Sequence, residues 1–437
     1  MRPSAFFRAW FVAVLPAVAC VGGATPTTAP APRLAGTVRV PQPDTNYIDL
    51  LDGTLSGQGD LEEDQAPKVG HVRMPSLLTR WFRAKQQFED SSGLSVAGSY
   101  GALGQNYTSS PVDQLNAVGG KFTLNLNWAL WGRGKADALD FDFVVEDRRP
   151  LGTPLPPLQA GIGAGSIVPT AATWGEFYLG VTQFYLRQNL ADNRFQYAIG
   201  KVFAPNFVNP YPFFDDNRQF FNQTFSTSPT IASPLRGFGA VAAWFPLAGK
   251  GYYVQGGMYT ANSDDTGLTI DDFFKTGEHF YHLDLGWSVL AHQGVPIQAR
   301  GPMDAANFHV VGWFKNEQPN SPQANGVAFN ASTKVGPNFL VFLRGGASVG
   351  FFNDANVSAG FGWRPPRFPS DLFGFGSGWL RPSNRELREQ QTHEMFYRFH
   401  LTDNLAFSPD LQLVLNPALS PTQDLIWLLG FRTRVTF

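Results

Sequence analysis

From Leu94 to Phe437, apolar side chains recur at every second position in short runs, the period of a β-strand with one apolar face. In "KFTLNLNWALW", Phe122, Leu124, Leu126, Trp128 and Leu130 share one face, and Lys121, Thr123, Asn125 and Asn127 share the other. "LDFDFVVED" repeats the pattern, setting Leu139, Phe141, Phe143 and Val145 against Asp140, Asp142 and Glu146. The closing stretch alternates Leu425, Trp427, Leu429, Phe431, Thr433 and Val435 with Gly430, Arg432, Arg434 and Thr436, and stops on Phe437. Neighbouring strands with a polar enclosed face invert a soluble core; in a membrane barrel the apolar side meets lipid and the polar side lines water.

Strands of this kind begin near residues 94, 121, 138, 174, 194, 238, 251, 279, 307, 326, 340, 356, 371, 391, 405 and 425. Short connections follow most even strands, among them "RQNLADN", "PLAGK" and "TDN", while several odd strands lead into long ones. The segment after the eighth, "VLAHQGVPIQARGPMDAA", breaks the rule. Short turns at one end and long loops at the other are the layout of an outer-membrane barrel, with both chain ends periplasmic when the strand number is even. The expected fold is therefore all-β: a transmembrane antiparallel β-barrel of about sixteen strands, wide enough to leave an aqueous channel.

The longest odd connection, from Val202 to Arg236, holds seven Phe, too many for a solvated tip. Folding into the barrel to narrow the pore is the economical reading, and the Gly- and Pro-rich stretch 147–172 is a second candidate plug. Pro409 lies within a strand pattern, where it removes a ladder donor, so a bulge or a strand start is expected there.

The N-terminal part lacks the alternation. Residues 1–24, "MRPSAFFRAWFVAVLPAVACVGGA", have arginines ahead of an apolar stretch and small residues behind it, a secretory signal peptide. Cleavage after Ala19 would leave Cys20, the single cysteine, open to acylation; cleavage after Ala24 discards it. Residues 25–90 form a Pro/Thr/Ala-rich linker and a short periplasmic helix, with Leu78, Trp81, Phe82, Lys85 and Phe88 at helical spacing, and residues 91–437 form the barrel domain.

Composition sharpens this picture. Charged residues are 16% where a soluble chain has about 25%, and aromatics reach 14%, so much of the surface is apolar. Past residue 24 no apolar run approaches the roughly 20 residues of a spanning helix, which leaves strands to cross the membrane. The near-balance of 33 Lys+Arg and 35 Asp+Glu offers no basic surface for nucleic acid.

Enzyme and metal patterns carry little. "GASVG" around Ser348 has the nucleophile-elbow spacing but leads into a turn with no following helix. "GFGAVA" at Gly237 opens a strand where a dinucleotide fingerprint opens a helix. His279 and His282 stand without the further ligands a metal site needs, and no cofactor is expected.

The stretch His393 to Phe437 resembles the carbohydrate-selective porins of the OprB family. The features that carry the resemblance are Glu394, Phe396-Tyr397-Arg398, Pro409-Asp410-Leu411-Gln412, Asn416-Pro417 and a last strand ending in Phe. "RFQYAIGKVFAPNFV", "FFNQTF" and the segment around Arg344 are similar to earlier parts of that family, so the resemblance spans roughly residues 90 to 437. It implies a non-enzymatic sixteen-stranded porin of the bacterial outer membrane that passes neutral mono- or small oligosaccharides by passive diffusion. It further implies contact with outer-membrane lipid, a monomer or homotrimer, and recognition of Phe437 by the barrel-assembly machinery.

A pore that favours sugars needs bidentate donors, carboxylates and aromatic faces at its constriction. The inward register supplies Glu394, Phe396, Arg398 and His400, with Asp140, Asp142 and Glu146, Arg344, and Arg432 and Arg434 on other strands. For Arg344 and Arg398, sugar contact and pairing along the wall weigh equally; for Arg432, Arg434 and the three acids, the wall or vestibule is favoured. Both charge signs are present, which suits neutral solutes. A non-selective porin, a plugged structural barrel and an outer-membrane hydrolase are the alternatives.

Overall fold

The computed structural model describes residues 68–72, 76–133, 135, 137–192, 194–247, 250–288 and 307–437. The signal peptide, Cys20 and the linker up to residue 67 lie outside the described residues. Helix α1 (Ser76–Ser92) leads into sixteen strands: β1 (Leu94–Tyr107), β2 (Asn116–Trp131), β3 (Leu139–Pro150), β4 (Phe177–Leu190), β5 (Phe195–Val202), β6 (Gly237–Trp244), β7 (Tyr252–Thr260) and β8 (His279–Ser288). These continue as β9 (Asn307–Lys315), β10 (Ala324–Val335), β11 (Phe339–Val349), β12 (Asn353–Trp363), β13 (Leu372–Pro382), β14 (Gln390–Thr402), β15 (Leu405–Leu415) and β16 (Leu425–Thr436). Each strand pairs antiparallel with its sequence neighbours and β16 pairs with β1, so the sheet is a closed barrel. The largest departure from the expected starts is at β2, which begins at Asn116 rather than near residue 121.

The alternation decides which side faces out. On β16, Leu425, Trp427, Leu429 and Phe431 are exposed on the outer surface while Ile426, Leu428, Gly430 and Arg432 are buried within. The outer face is an apolar belt that includes Leu186, Ile199, Leu283, Leu285, Val310 and Val327. Exposed aromatics flank it: Trp131, Trp244, Tyr252 and Phe339 toward the α1 end, and Tyr178, Phe352 and Trp427 toward the other, the girdle arrangement of outer-membrane barrels. Among the described residues no helix is long and apolar enough to cross a membrane.

Pro409 forms neither the expected bulge nor a strand start. It lies inside β15 opposite Phe431 of β16, and the pairing with β14 is broken between Phe396–Asp410 and Phe399–Phe407 without a change of register. The missing N–H is absorbed by this gap in the ladder.

The interior is not a plain polar lining. The 151–176 connection carries α2 (Pro157–Gly163), whose Ala160 packs with Ala164 against Tyr107, Ala117, Val414, Ile426 and Leu428 of the wall. The 203–236 connection, with α3 (Gln223–Ser226), enters the barrel and packs Phe207, Val208 and Ile231 against Val241, Ala243, Phe280, Val311 and Ala328. Beneath the loops the lumen-facing positions therefore include a large apolar share.

At the α1 end, residues 68–72 run along the end of β14: the His71 and Val72 amides donate to His400 O (3.0 Å) and Leu401 O (2.7 Å). The His71 ring meets Asp371 at 2.9 Å and lies over Phe368 at 3.8 Å, and Lys85 of α1 donates to Phe437 O at 2.8 Å. The N-terminal segment thus straps the rim from β13 round to the β16–β1 seam.

Candidate functional site

The inward loop is seated by side chains spread over half the wall. On β11, the Arg344 guanidinium donates to Phe225 O (2.9 Å) and Thr227 O (3.0 Å) and lies 3.8 Å from the Tyr211 ring centroid. On β14, Glu394 accepts the Phe221 amide (2.5 Å) and the Asn222 amide (3.0 Å), while Asn222 caps α3 through Thr224 N and donates to Gln412 of β15. On β16, Arg432 donates to Asp216 O (2.8 Å) and Gln219 O (3.1 Å) and sits 4.1 Å from the Phe221 ring centroid. His309 of β9 reaches Asn209 at 2.7 Å, and Gln255 of β7 donates to Phe207 O.

The phenylalanines complete the seat. Phe213, Phe220 and Phe225 cluster with Leu340, Phe342, Leu372 and Phe396 of the wall, with Phe220 edge-on to Phe396 at 5.0 Å. The wall beneath is stripped of side chains: a Cβ on Gly362 would lie 2.5 Å from Phe213, one on Gly376 2.7 Å from Phe225 and one on Gly378 2.4 Å from Thr224. Real Cβ atoms do not approach so closely, so these glycines are the space the loop occupies.

With β7 to β15 covered, open space remains along β1 to β4. One void is lined by Lys121, Thr123, Glu146, Arg148, Gln183 and Arg236, with Thr173, Asn217 and Phe203 from the loops. A second is lined by Ser99, Lys121, Thr123, Trp174, Asn217, Arg432 and Arg434. They share Lys121, Thr123 and Asn217 and so adjoin. Glu146 is the hub, with Lys121 Nζ at 3.3 Å, Arg148 Nη2 at 2.8 Å and Arg236 Nη2 at 3.1 Å. Lys121 also donates to Thr173 at 2.9 Å, which is held by Asp216, so the two inward loops and the β2–β3 wall form one network.

The residues singled out from sequence are thus divided. Glu146, Arg432 and Arg434 line the voids. Arg344, Glu394 and Phe396 lie under the loop, engaged with its backbone and rings. Arg398 is buried on the lumen face of β14, two residues nearer the α1 end than Phe396. Asp140 and Asp142 sit on the β3 segment nearest that end, where Asp140 pairs with Arg187 at 3.0 Å and Asp142 accepts from Asn127 at 3.1 Å. Around the voids both charge signs are present, with Glu146 among Lys121, Arg148 and Arg236, while Glu394 is turned to loop amides and Asp140 to Arg187.

Sequence reasoning put Lys121 on the inner face without a role in the pore and missed Arg148 and Arg236 as lining residues. Arg148 was within reach, since it continues the inward alternation of its strand. Arg236 was not, because its place depends on the path of a loop.

Ser348 donates to Asn353 O across the β11–β12 turn, with no helix following, and among the described residues no group of three or more metal-ligating side chains is assembled.

Residues 354–437, which run through β12 to β16, match the family model described as carbohydrate-selective porin, OprB family. The fold is that of the high-pH structure of Pseudomonas putida OprB, with a TM-score of 0.65, 14% identity, and coverage of 82% of this chain and 97% of that one. Over its last strands the chain is similar to the OprB family, and over most of its length it shares the fold of an OprB porin. The low-pH structure of the same Pseudomonas putida protein is similar at a TM-score of 0.51 and 12% identity, over 84% of this chain and 98% of that one. No curated protein sequence matches. OprB is a family of channels rather than enzymes. The matched segment holds β12 to β16, part of the seat of the inward loop, whereas the β1 to β4 wall beside the voids lies before residue 354.

Proposed function

We propose that this barrel is an outer-membrane porin of the OprB family through which mono- or small oligosaccharides diffuse passively, passing between the inward loop and the β1 to β4 wall. One observation carries this reading: the loop leaves free a strip of wall whose lining combines charged donors, hydroxyls and amides with the Trp174 and Phe203 rings. Sugars present both hydroxyls and apolar C–H faces, and this lining answers both. In this reading Arg344, Glu394 and Phe396 act by fixing the loop, and Glu146, with the cations around it, meets the solute.

The same proposal assigns residues 1–24 to export, residues 25–90 to a periplasmic linker and strap, and Phe437 to recognition by the barrel-assembly machinery, with the barrel working as a monomer or homotrimer. The experiment is single-channel recording of the refolded protein in a planar bilayer with mono- and disaccharides added. Reproducible steps that dim on adding sugar are expected. Steps indifferent to every sugar would leave a non-selective porin, and no steps at all would overturn the reading.

A further inference from the structure

Helix α1 meets the rim at a place that faces lipid. Lys85 donates to Phe437 O at 2.8 Å, and the Phe437 ring lies on the outer face of the wall, over Gly98 and with its centroid 6.5 Å from that of Phe122. Trp81 stands four residues before Lys85 and Phe88 three after, so the three side chains share one flank of the helix. Both rings are 50% exposed, more than their rim contact covers. At the end of the helix Ala129 N donates to Gly93 O at 2.9 Å, which brings the exposed Trp128 and Trp131 of β2 beside its last turn. The aromatic flank of α1 thus continues the girdle of the barrel at the level of the periplasmic headgroups.

The adjoining flank carries cations. Arg80 and Arg83 are exposed and have no carboxylate partner among the described residues. Asp90 is taken by Arg133 of the β2–β3 turn, whose guanidinium donates to Asp90 O at 3.0 Å and lies 3.9 Å from its carboxylate. A helix with aromatic rings on one flank and arginines on the next suits the plane of a membrane surface, with rings among the acyl chains and guanidinium groups at the phosphates. We propose that α1 and the adjoining girdle seat an anionic phospholipid of the periplasmic leaflet, its acyl chains against Trp81 and Phe88 and its phosphate at Arg80 and Arg83. Lipid then holds the helix to the rim together with Lys85.

The test compares hydrogen exchange of the full-length refolded protein in vesicles of phosphatidylcholine alone and of equimolar phosphatidylcholine and phosphatidylglycerol. The α1 amides are expected to exchange about tenfold more slowly in the anionic vesicles, as two arginines at a charged surface provide. That difference shrinks in about 1 M KCl and in the Arg80→Gln, Arg83→Gln double variant, while the strand amides stay as they were. Phospholipids brominated on their acyl chains are expected to quench tryptophan fluorescence more in the wild type than in Trp81→Phe. Equal α1 exchange in the two kinds of vesicle, or quenching that Trp81→Phe leaves unchanged, would overturn the inference. So would protection that rises with the ratio of protein to lipid whatever the lipid charge, since a second copy of this chain would then cover the face. No sugar enters these measurements, so the porin reading stands or falls apart from them.

Discussion

A guanidinium is worth most where its partners cannot turn to water, and Arg344 is buried against backbone carbonyls of the inward loop. Arg344→Met should leave those carbonyls unpaired and weaken loop docking by about 3 kcal/mol. The expected readout is a larger and noisier single-channel conductance, with the barrel still formed. Glu394→Gln should do less, because its amide oxygen can still accept one of the two loop N–H groups but its NH₂ cannot. Both residues could be placed on the lumen face from the two-residue period alone. Their work could not be read, since it depends on Phe221, Asn222, Phe225 and Thr227, more than a hundred positions earlier in the chain and brought close only by the closed barrel.

Elements were more legible than contacts. Strands came from alternation and α1 from helical spacing, but the seat of the loop was signalled only by "GFGSG" in β13, where lumen-facing glycines at 374, 376 and 378 make no sense facing open water. Gly376→Val should push Phe225 from its place and raise conductance, as Arg344→Met does, without unfolding the sheet, because valine suits a strand.

The strap at the opposite rim has its own chemistry. Burial raises the pKa of Asp371, but hydrogen bonds from His400, His71 and Tyr397 outweigh this and hold it below the usual carboxylate value. A depressed carboxylate stabilises the docked state above its unfolded pKa of about 3.9 and loses that contribution as pH falls through the folded value. Protection of the His71 and Val72 amides should therefore persist from neutral pH down to about pH 5 and fall away toward about pH 3. Hydrogen exchange, corrected for intrinsic rates, checks this, and Asp371→Asn should show the low-pH behaviour at pH 7.

For the whole molecule, closure is the decisive event. The Phe437 amide donates to Gly98 O at 2.8 Å and Phe437 O accepts the Gly98 amide at 3.0 Å, while the Phe437 ring fills the place a side chain on Gly98 would take. Deleting Phe437 removes this last pair at the seam and should lower the yield of heat-resistant folded barrel in outer-membrane fractions; an unchanged yield would count against its assembly role. The sixteen-strand closure was legible because a membrane wall repeats one rule along the chain. The off-centre passage was not, because its shape is what remains after two loops have filled the rest.

Those loops also impose an order in time. They hydrogen-bond each other, through Ala172 N to Phe221 O and Gln223 N to Pro169 O, and then lean on Glu394, Gln412 and Arg432, all on the three final strands. A barrel still missing those strands keeps the anchors on β7, β9 and β11. Narrowing is therefore completed only when the wall is, so an unfinished barrel would be a leakier one, and the finished pore certifies its own assembly.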